Sequence, residues 1–130
     1  DGTIDCIVTD HAPHANYEKE VEFDAAPFGI LGLETSFPLV YTTLVKPGIL
    51  SLSDAIAKMT VKAAEVLNLP DNIGTLKTGA PADVAVFDLE KMWTIDRDAV
   101  QSKSQNTPFH GWEVQGKAEF TIVAGRVIRL

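Results

Sequence analysis

The chain has 130 residues, of which 45% are apolar and 22% charged, as expected for one ordinary globular domain. Its 11 basic and 18 acidic side chains give a net charge of −7. This charge disfavours nucleic acid and anionic membrane surfaces as partners, because both attract positive charge. No segment reaches the roughly 18 apolar residues of a membrane span. With one cysteine the chain cannot form an internal disulfide, which is typical of the reducing cytoplasm.

The opening DGTIDCIVTD predicts a short strand over residues 4–9, since it is apolar, rich in β-branched residues and followed by a polar loop. Both of its faces are apolar, so we expect a strand buried on both sides in the parallel sheet of an α/β fold. Asp10 would then lie at the carboxyl end of the strand, where α/β folds place their chemistry. Because the chain begins without methionine and with almost no lead-in, we also expect it to be part of a longer protein.

The middle of the chain predicts a long loop followed by a helix. Residues 12–32 form the loop, and loops of this length are more often functional than idle. The helix is predicted over residues 33–45, where Pro38 is compatible only with the first turns. The tripeptide KPG, residues 46–48, ends this helix.

A second helical region is the clearest periodic pattern in the sequence. Between residues 52 and 67 apolar side chains recur at 3.6-residue spacing and form one stripe. Ser51 or Ser53 can serve as the N-cap. Thr60 is expected to divide the region by capping a second helix, and NLP, residues 68–70, ends it.

After residue 70 the pattern changes from helical to β. GTLKTGAPADVAVFDL contains turn residues followed by a predicted strand over residues 83–87, and MWTI, residues 92–95, predicts another short strand. KAEFTIVAGRVIRL predicts two strands joined around Ala124 and Gly125 in a hairpin. The chain therefore divides near residue 70 into a βα part and a small all-β part.

TDHAPH, residues 9–14, contains a carboxylate and two of the three histidines in the chain. These side chains suit zinc or a similar divalent ion, although the same groups could equally hydrogen-bond a loop. A catalytic zinc site takes about three protein ligands and an open position for water. Asp10 and at most three histidines are few candidate ligands, so we expect residues outside the chain to complete such a site. His110, in NTPFHGW, is assigned a structural or surface role.

Three segments resemble one enzyme family. TDHAPH, followed by APFGILGLETSFPLVYT, resembles the last barrel strand and following loop of bacterial-type dihydroorotases, within the amidohydrolase superfamily. GTLKTGAPADVAVFDL is similar to the superfamily's return from the barrel to a small β domain, and NTPFHGWEVQGKAEFTIVAGRVI resembles the family's C-terminal end. The resemblance covers essentially the whole chain. TDHAPH is fairly specific, because hydantoinases usually share the Asp-His but not the second histidine.

The resemblance implies a fold and a division into two parts. The family has a (β/α)₈ barrel and a β-sandwich built from both chain ends, and such barrels take about 250 residues. Residues 1–70 would be the last βα portion of the barrel, with strand eight, the active-site loop and helices. Residues 71–130 would supply the C-terminal strands of the composite β-sandwich.

The resemblance also implies roles for single residues. Asp10 matches the aspartate that contacts the metal centre and acts as general base and then acid. His14 matches the histidine that binds the substrate carboxylate. Phe28 and Gly29 match the loop whose backbone hydrogen-bonds the pyrimidine ring. His11 matches a position without a direct chemical role.

The implied activity is zinc-dependent, reversible hydrolysis of dihydroorotate to N-carbamoyl-aspartate, in cytoplasmic pyrimidine biosynthesis. The family's other metal ligands are absent, so we expect the isolated chain to bind no catalytic metal and to be inactive. We also expect it to associate with itself through unpaired strand edges, or to lose order around residues 1–30. A catalytically silent homologue with a structural role and another cyclic amidase, such as an allantoinase or hydantoinase, stay open as alternatives. The presence of both Asp10 and His14 favours the active enzyme over the silent homologue.

Overall fold

A computed structural model describes residues 2–129, which combine short helices with one antiparallel sheet. The sheet has the strand order β1-β2-β3 and lies in the C-terminal half of the chain. The helices are α1 (Asn16–Lys19), α2 (Ser36–Val40), α3 (Leu52–Met59) and α4 (Val61–Val66), and a π-helical segment, Tyr41–Val45, continues α2. The strands are β1 (Val84–Thr94), β2 (Glu113–Val123) and β3 (Arg126–Arg129).

The strand predicted over residues 4–9 is absent, so this expectation is wrong for the chain. The segment instead runs beside α3, where the Ile7 N–H donates to the Lys58 carbonyl at 3.0 Å. Ile4 and Val8 are 68% and 76% exposed, which also contradicts burial on both sides. A strand exists only when a neighbouring strand accepts and donates its backbone hydrogen bonds, and no described strand lies beside this segment.

The helix predicted over residues 33–45 begins later than expected and ends where expected. Residues 33–35 form a turn, in which the Ser36 N–H donates to the Leu33 carbonyl at 3.3 Å. Pro38 then falls in the first turn of α2, where its missing N–H removes no helical hydrogen bond. The last five residues are π-helical, with the Lys46 N–H donating to the Tyr41 carbonyl at 2.9 Å.

Ser51, and not Ser53, caps the next helix. The Ser51 hydroxyl oxygen accepts a hydrogen bond from the Asp54 N–H at 3.0 Å. Thr60 divides the region into α3 and α4, as predicted, with φ −131° and ψ −97°. Its hydroxyl donates back to the Ile56 carbonyl at 2.7 Å and does not cap α4. The backbone of Thr60 therefore makes the break, and its side chain completes the end of α3.

The two strands predicted over residues 83–87 and 92–95 are one strand with an irregularity. Asp88 pairs with Lys117 and Met92 with Gln115, so three residues of β1 lie opposite one residue of β2. The Gln115 side chain donates to the Leu89 carbonyl at 2.7 Å and satisfies a backbone group that the irregularity releases from the ladder. The predicted hairpin is confirmed: Ala124 and Gly125, with φ 48° and 78°, connect β2 to β3.

Phe37 of α2 packs the helical part against the sheet. It is 6% exposed, and its ring centroid lies 3.9 Å from that of Phe87 on β1. A Cβ atom at Gly116 of β2 would lie 3.1 Å from Phe37 Cε1, so glycine allows the helix to approach this closely. Ile95 and Val114 are almost completely buried beside the same sheet. Within residues 2–129, no helix is long and apolar enough to cross a membrane.

The N-cap of α3 yields a stability prediction. Ser51→Ala removes an acceptor for a free helical N–H, so we expect it to lower the free energy of unfolding by about 1 kcal/mol. Ser53→Ala is the matched control; it lies inside α3 and should change stability by no more than about 0.5 kcal/mol, because alanine has the higher helix propensity. Urea unfolding of both variants measures the difference. Equal losses would show that the cap does not stabilise the helix.

Candidate functional site

Asp10 follows the N-terminal segment directly, in a left-handed backbone conformation with φ 49°. Aspartate tolerates this conformation better than most residues, because its short side chain can hydrogen-bond locally. Asp10 is exposed, and its carboxylate has no hydrogen-bond or ion-pair partner among residues 2–129. The carboxylate is therefore available to bind a cation or to accept a proton.

His14 is half-buried and faces the far end of the same loop. Its Nε2 lies 3.0 Å from the Phe28 carbonyl oxygen. A carbonyl can only accept, so the proton of this hydrogen bond belongs to Nε2. On the other side of the ring, Nδ1 lies 3.7 Å from a carboxylate oxygen of Glu18. The imidazole thus joins the start of the loop to the Phe28–Gly29 segment.

Gly29 is required where the two ends of the loop meet. Its φ is 113°, and a Cβ atom at this position would lie 2.4 Å from the Cβ atom of Ala12. The Gly29 carbonyl accepts from Lys19 Nζ at 3.1 Å, and the Lys19 ammonium also donates to the Pro27 carbonyl at 2.7 Å. The Phe28 ring is 97% exposed.

The backbone of Phe28 and Gly29 is only partly used by the protein. Both carbonyls have protein donors, namely His14 and Lys19. Their N–H groups have no acceptor in the described part of the chain. The two N–H groups are therefore the backbone positions that this segment offers to a ligand.

His11 holds the base of the loop. Its Nδ1 accepts the Gly32 N–H at 3.2 Å, and its backbone forms an isolated parallel bridge with Ile30. The next residue, Ala12, donates its N–H to the Ile30 carbonyl at 2.9 Å. His11 therefore stabilises the base of the loop, and Asp10 and His14 lie on either side of the bridge.

Asn106, which the sequence analysis did not single out, contacts both halves of the loop. Its side-chain oxygen accepts the His14 N–H at 3.1 Å. Its side-chain nitrogen donates to the carbonyls of Ala12 at 2.8 Å and Gly29 at 3.3 Å. The Asn106 backbone carbonyl accepts the Leu31 N–H at 3.1 Å. Nothing in the local pattern NTPF distinguishes this asparagine from a loop residue, because its partners lie 77 and 92 residues away.

His110 lies outside this cluster, in accord with the structural role that the sequence suggested. Its Nδ1 accepts the Arg97 N–H at 3.2 Å and lies 3.7 Å from the Asp96 carboxylate. No three His, Cys, Asp or Glu residues between positions 2 and 129 come close enough to hold a metal ion. The residues present therefore do not make a zinc site by themselves, and Asp10 is a single donor.

The family model for the amidohydrolase family matches residues 1–128 of the chain. The chain belongs to the amidohydrolase family. It is 55% identical over 125 residues to the dihydroorotase of Enterococcus faecalis, a match that covers 96% of the chain and 29% of that protein. The dihydroorotase of Bacillus subtilis is 52% identical over 127 residues, covering 98% of the chain and 29% of that protein. The resemblance to dihydroorotases is thus confirmed, and the chain spans less than a third of these relatives' length.

Solved amidohydrolase structures contain the same arrangement. The L-hydantoinase (dihydropyrimidinase) of Arthrobacter aurescens matches with a TM-score of 0.90 and 34% identity, over 98% of the chain and 29% of that protein. The D-hydantoinase (dihydropyrimidinase) of a Thermus species matches with a TM-score of 0.87 and 31% identity, over 97% and 28%. The short helices and the three-stranded sheet are therefore the conformation that this stretch adopts within larger amidohydrolases.

The close approach at Gly29 predicts that Gly29→Ala opens the loop. Alanine would be strained at this φ and would overlap Ala12, at a cost of about 1–3 kcal/mol. We expect the Ala12 and Leu31 amides to exchange with solvent roughly 10- to 100-fold faster, because both are hydrogen-bonded only while the loop is closed. Gly79→Ala is the matched control, with φ 88° but no atom within 4 Å of the added Cβ. Unchanged exchange at Ala12 in Gly29→Ala would contradict the prediction.

Proposed function

We propose that the full-length protein containing this chain is a dihydroorotase. It would hydrolyse the cyclic amide of dihydroorotate to N-carbamoyl-aspartate and catalyse the reverse reaction, in cytoplasmic pyrimidine biosynthesis. The observation that carries the proposal is the 50–55% identity to dihydroorotases over nearly the whole chain. Identity to the two hydantoinases of known structure described above is lower, at 31–34%.

The proposed fold of the full-length protein is a (β/α)₈ barrel with a composite β-sandwich. Residues 1–70 would form the last βα portion of the barrel, and residues 71–130 the C-terminal strands of the sandwich. The exposure of Ile4 and Val8 supports this assignment, because neighbouring barrel strands and helices would cover both side chains. The two parts would be in firm contact, since Phe37 packs against Phe87 and Asn106 reaches the loop of the first part.

Asp10 is the proposed general base and acid. As base, its free carboxylate would take a proton from the water whose oxygen forms the new bond to the ring carbonyl carbon. The carbon–nitrogen bond of the ring then breaks, and Asp10 returns the proton to the leaving nitrogen. The absence of a protein partner for this carboxylate within residues 2–129 supports the role, because a paired carboxylate would be a weaker base.

His14 is proposed to bind the substrate carboxylate. Its Nε2–H donates to the Phe28 carbonyl, and a charged carboxylate is a stronger acceptor than this neutral oxygen. The exchange of partners would contribute about 1.5–3 kcal/mol to substrate binding. The free N–H groups of Phe28 and Gly29 would then hydrogen-bond the ring, so one short loop would recognise both the carboxylate and the ring of dihydroorotate.

Zinc is the proposed metal of the full-length protein. Bound zinc would polarise the ring carbonyl and lower the pKa of its water toward about 7. From this chain, Asp10 would contribute one ligand, and the remaining ligands would come from elsewhere in the full-length protein. The roles that fall to the chain itself are proton transfer at Asp10 and recognition of the substrate at the loop.

Another cyclic amidase is the second candidate, favoured by the TM-score of 0.90 to a hydantoinase. The two candidates differ in charge, because hydantoin and dihydrouracil lack the carboxylate that His14 would bind. Turnover of dihydroorotate, hydantoin, dihydrouracil and allantoin by the full-length protein separates them. Preference for dihydroorotate supports the proposal, and absence of turnover with all four would favour a catalytically silent homologue.

Replacement of Asp10 in the full-length protein tests its catalytic role. Asp10→Asn cannot take a proton, so we expect kcat for dihydroorotate to fall by about 10²- to 10⁴-fold. Asp71→Asn is the matched control, since Asp71 is also exposed but lies in the loop after α4, and it should retain full activity. If Asp10→Asn were as active as Asp71→Asn, Asp10 would not be the base.

The isolated chain is predicted to self-associate and to have no dihydroorotase activity. Several large apolar side chains are mostly exposed in it, and burial of apolar surface against a second copy is favourable. They include Val8, Phe23, Phe28 and Leu76, each at least 76% exposed. Light scattering should give a mass above one 14.1 kDa chain, and the same sample should show no turnover with added zinc. A compact monomer, or measurable turnover, would contradict the respective expectation.

A further inference from the structure

We propose that Asn106 is a positioning residue for the substrate loop, one that fixes His14 relative to the Phe28–Gly29 segment. The inference rests on the proposed function, because it assigns Asn106 to the placement of the two groups that would bind dihydroorotate. It adds a residue from the C-terminal β part of the chain to a site that is otherwise built from residues 10–32.

The Asn106 side chain is used completely. The oxygen accepts from His14 N–H at 3.1 Å, and the nitrogen donates to the Ala12 carbonyl at 2.8 Å and the Gly29 carbonyl at 3.3 Å. The side-chain amide thus accepts from the His14 N–H and donates to the Ala12 carbonyl, as the backbone of a neighbouring strand would do in a sheet. Asparagine alone presents one acceptor and two donors at this short reach, because aspartate lacks the donors and glutamine is one methylene longer.

The contact set links the backbone around His14 to that of Gly29, next to the bridge between His11 and Ile30. His14 and Gly29 are joined directly through the His14 ring and the Phe28 carbonyl, and that bond must break for His14 to bind a carboxylate. Lys19 also holds Pro27 and Gly29, but its ammonium group contacts neither Ala12 nor His14. When His14 changes partner, the Asn106 amide still joins the His14 N–H to the Gly29 carbonyl, beside the hydrogen bond from Ala12 to Ile30.

Asn106 itself is held in place by the chain around it. Its backbone carbonyl accepts the Leu31 N–H at 3.1 Å, and Leu31 is 6% exposed. Nearby, the Gln101 N–H donates to Glu34 at 2.8 Å, which ties the segment before Asn106 to the start of α2. The backbone of the segment around Asn106 is thus held separately from its side chain, and a change of the side chain at residue 106 acts on the loop.

The test uses Asn106→Asp in the full-length protein, alone and combined with His14→Ala. The aspartate directs oxygens at the Ala12 and Gly29 carbonyls in place of N–H groups, so we expect kcat/KM for dihydroorotate to fall about 10- to 100-fold. The loss should appear mainly in KM, since the loop would bind ground state and transition state alike. In the His14→Ala background, Asn106→Asp should lower kcat/KM by at most about a fifth of that factor. The reason is that the His14 imidazole, one of the groups that Asn106 would position, is already absent.

A second readout does not depend on activity. Trypsin cleavage after Lys19, followed by mass spectrometry, should be about tenfold or more faster in Asn106→Asp and in Asn106→Ala than in the parent protein. Asn72→Asp is the matched control; it makes the same chemical change at an exposed residue without a partner in the described chain, and it should alter neither readout.

The outcomes separate the two proposals. A KM effect that shrinks in the His14→Ala background, together with faster cleavage at Lys19, supports the role of Asn106. Unchanged KM, an equal loss in both backgrounds, or unchanged cleavage overturns it. If the parent protein does not turn over dihydroorotate, the proposed function fails, and cleavage at Lys19 alone then decides whether Asn106 positions the loop.

Discussion

The packing of the Phe37 ring against the Phe87 ring is the contact on which the rest of the chain depends. It joins α2, from the helical part, to β1 of the sheet, with ring centroids 3.9 Å apart. Residues 2–129 have few fully buried apolar side chains, so removing this pair would leave the helices with little apolar contact to the sheet. The approach requires a residue without a side chain at Gly116. Because α2 follows the loop of residues 12–32, this contact also fixes the position of the C-terminal end of that loop.

The loop itself is organised by backbone groups more than by apolar packing. Phe23 and Phe28 point into solvent, while His11, His14, Lys19 and Asn106 donate to or accept from the loop's main chain. Hydrogen bonds of this kind fix relative positions precisely but contribute little net stability, since water satisfies the same groups when the loop opens. Such a loop is well placed when closed and can still open at low cost.

Local signals in the sequence predicted the helices, the hairpin and the break at Thr60, because each depends on residues within a few positions. Ser51 accepts from a residue three positions later, and Ala124 and Gly125 connect two strands that are adjacent in the sequence. The strand over residues 4–9 was predicted wrongly, since its apolar pattern needs a neighbouring strand that the described chain does not supply. The single strand β1 was predicted as two strands for a related reason. The irregularity between them is set by pairing with β2, about 30 residues later.

The candidate site shows the same limit at the level of single residues. The family resemblance pointed to Asp10, His14, Phe28 and Gly29, and the structure brings the last three into contact. Asn106 escaped notice because an asparagine before Thr-Pro in a loop has many local uses, and its partners are far away in the sequence. Chemistry-bearing residues can be read from their type, whereas positioning residues are defined by what they touch. The groups that place a substrate are therefore the part of a site that requires the structure, even where the family is evident.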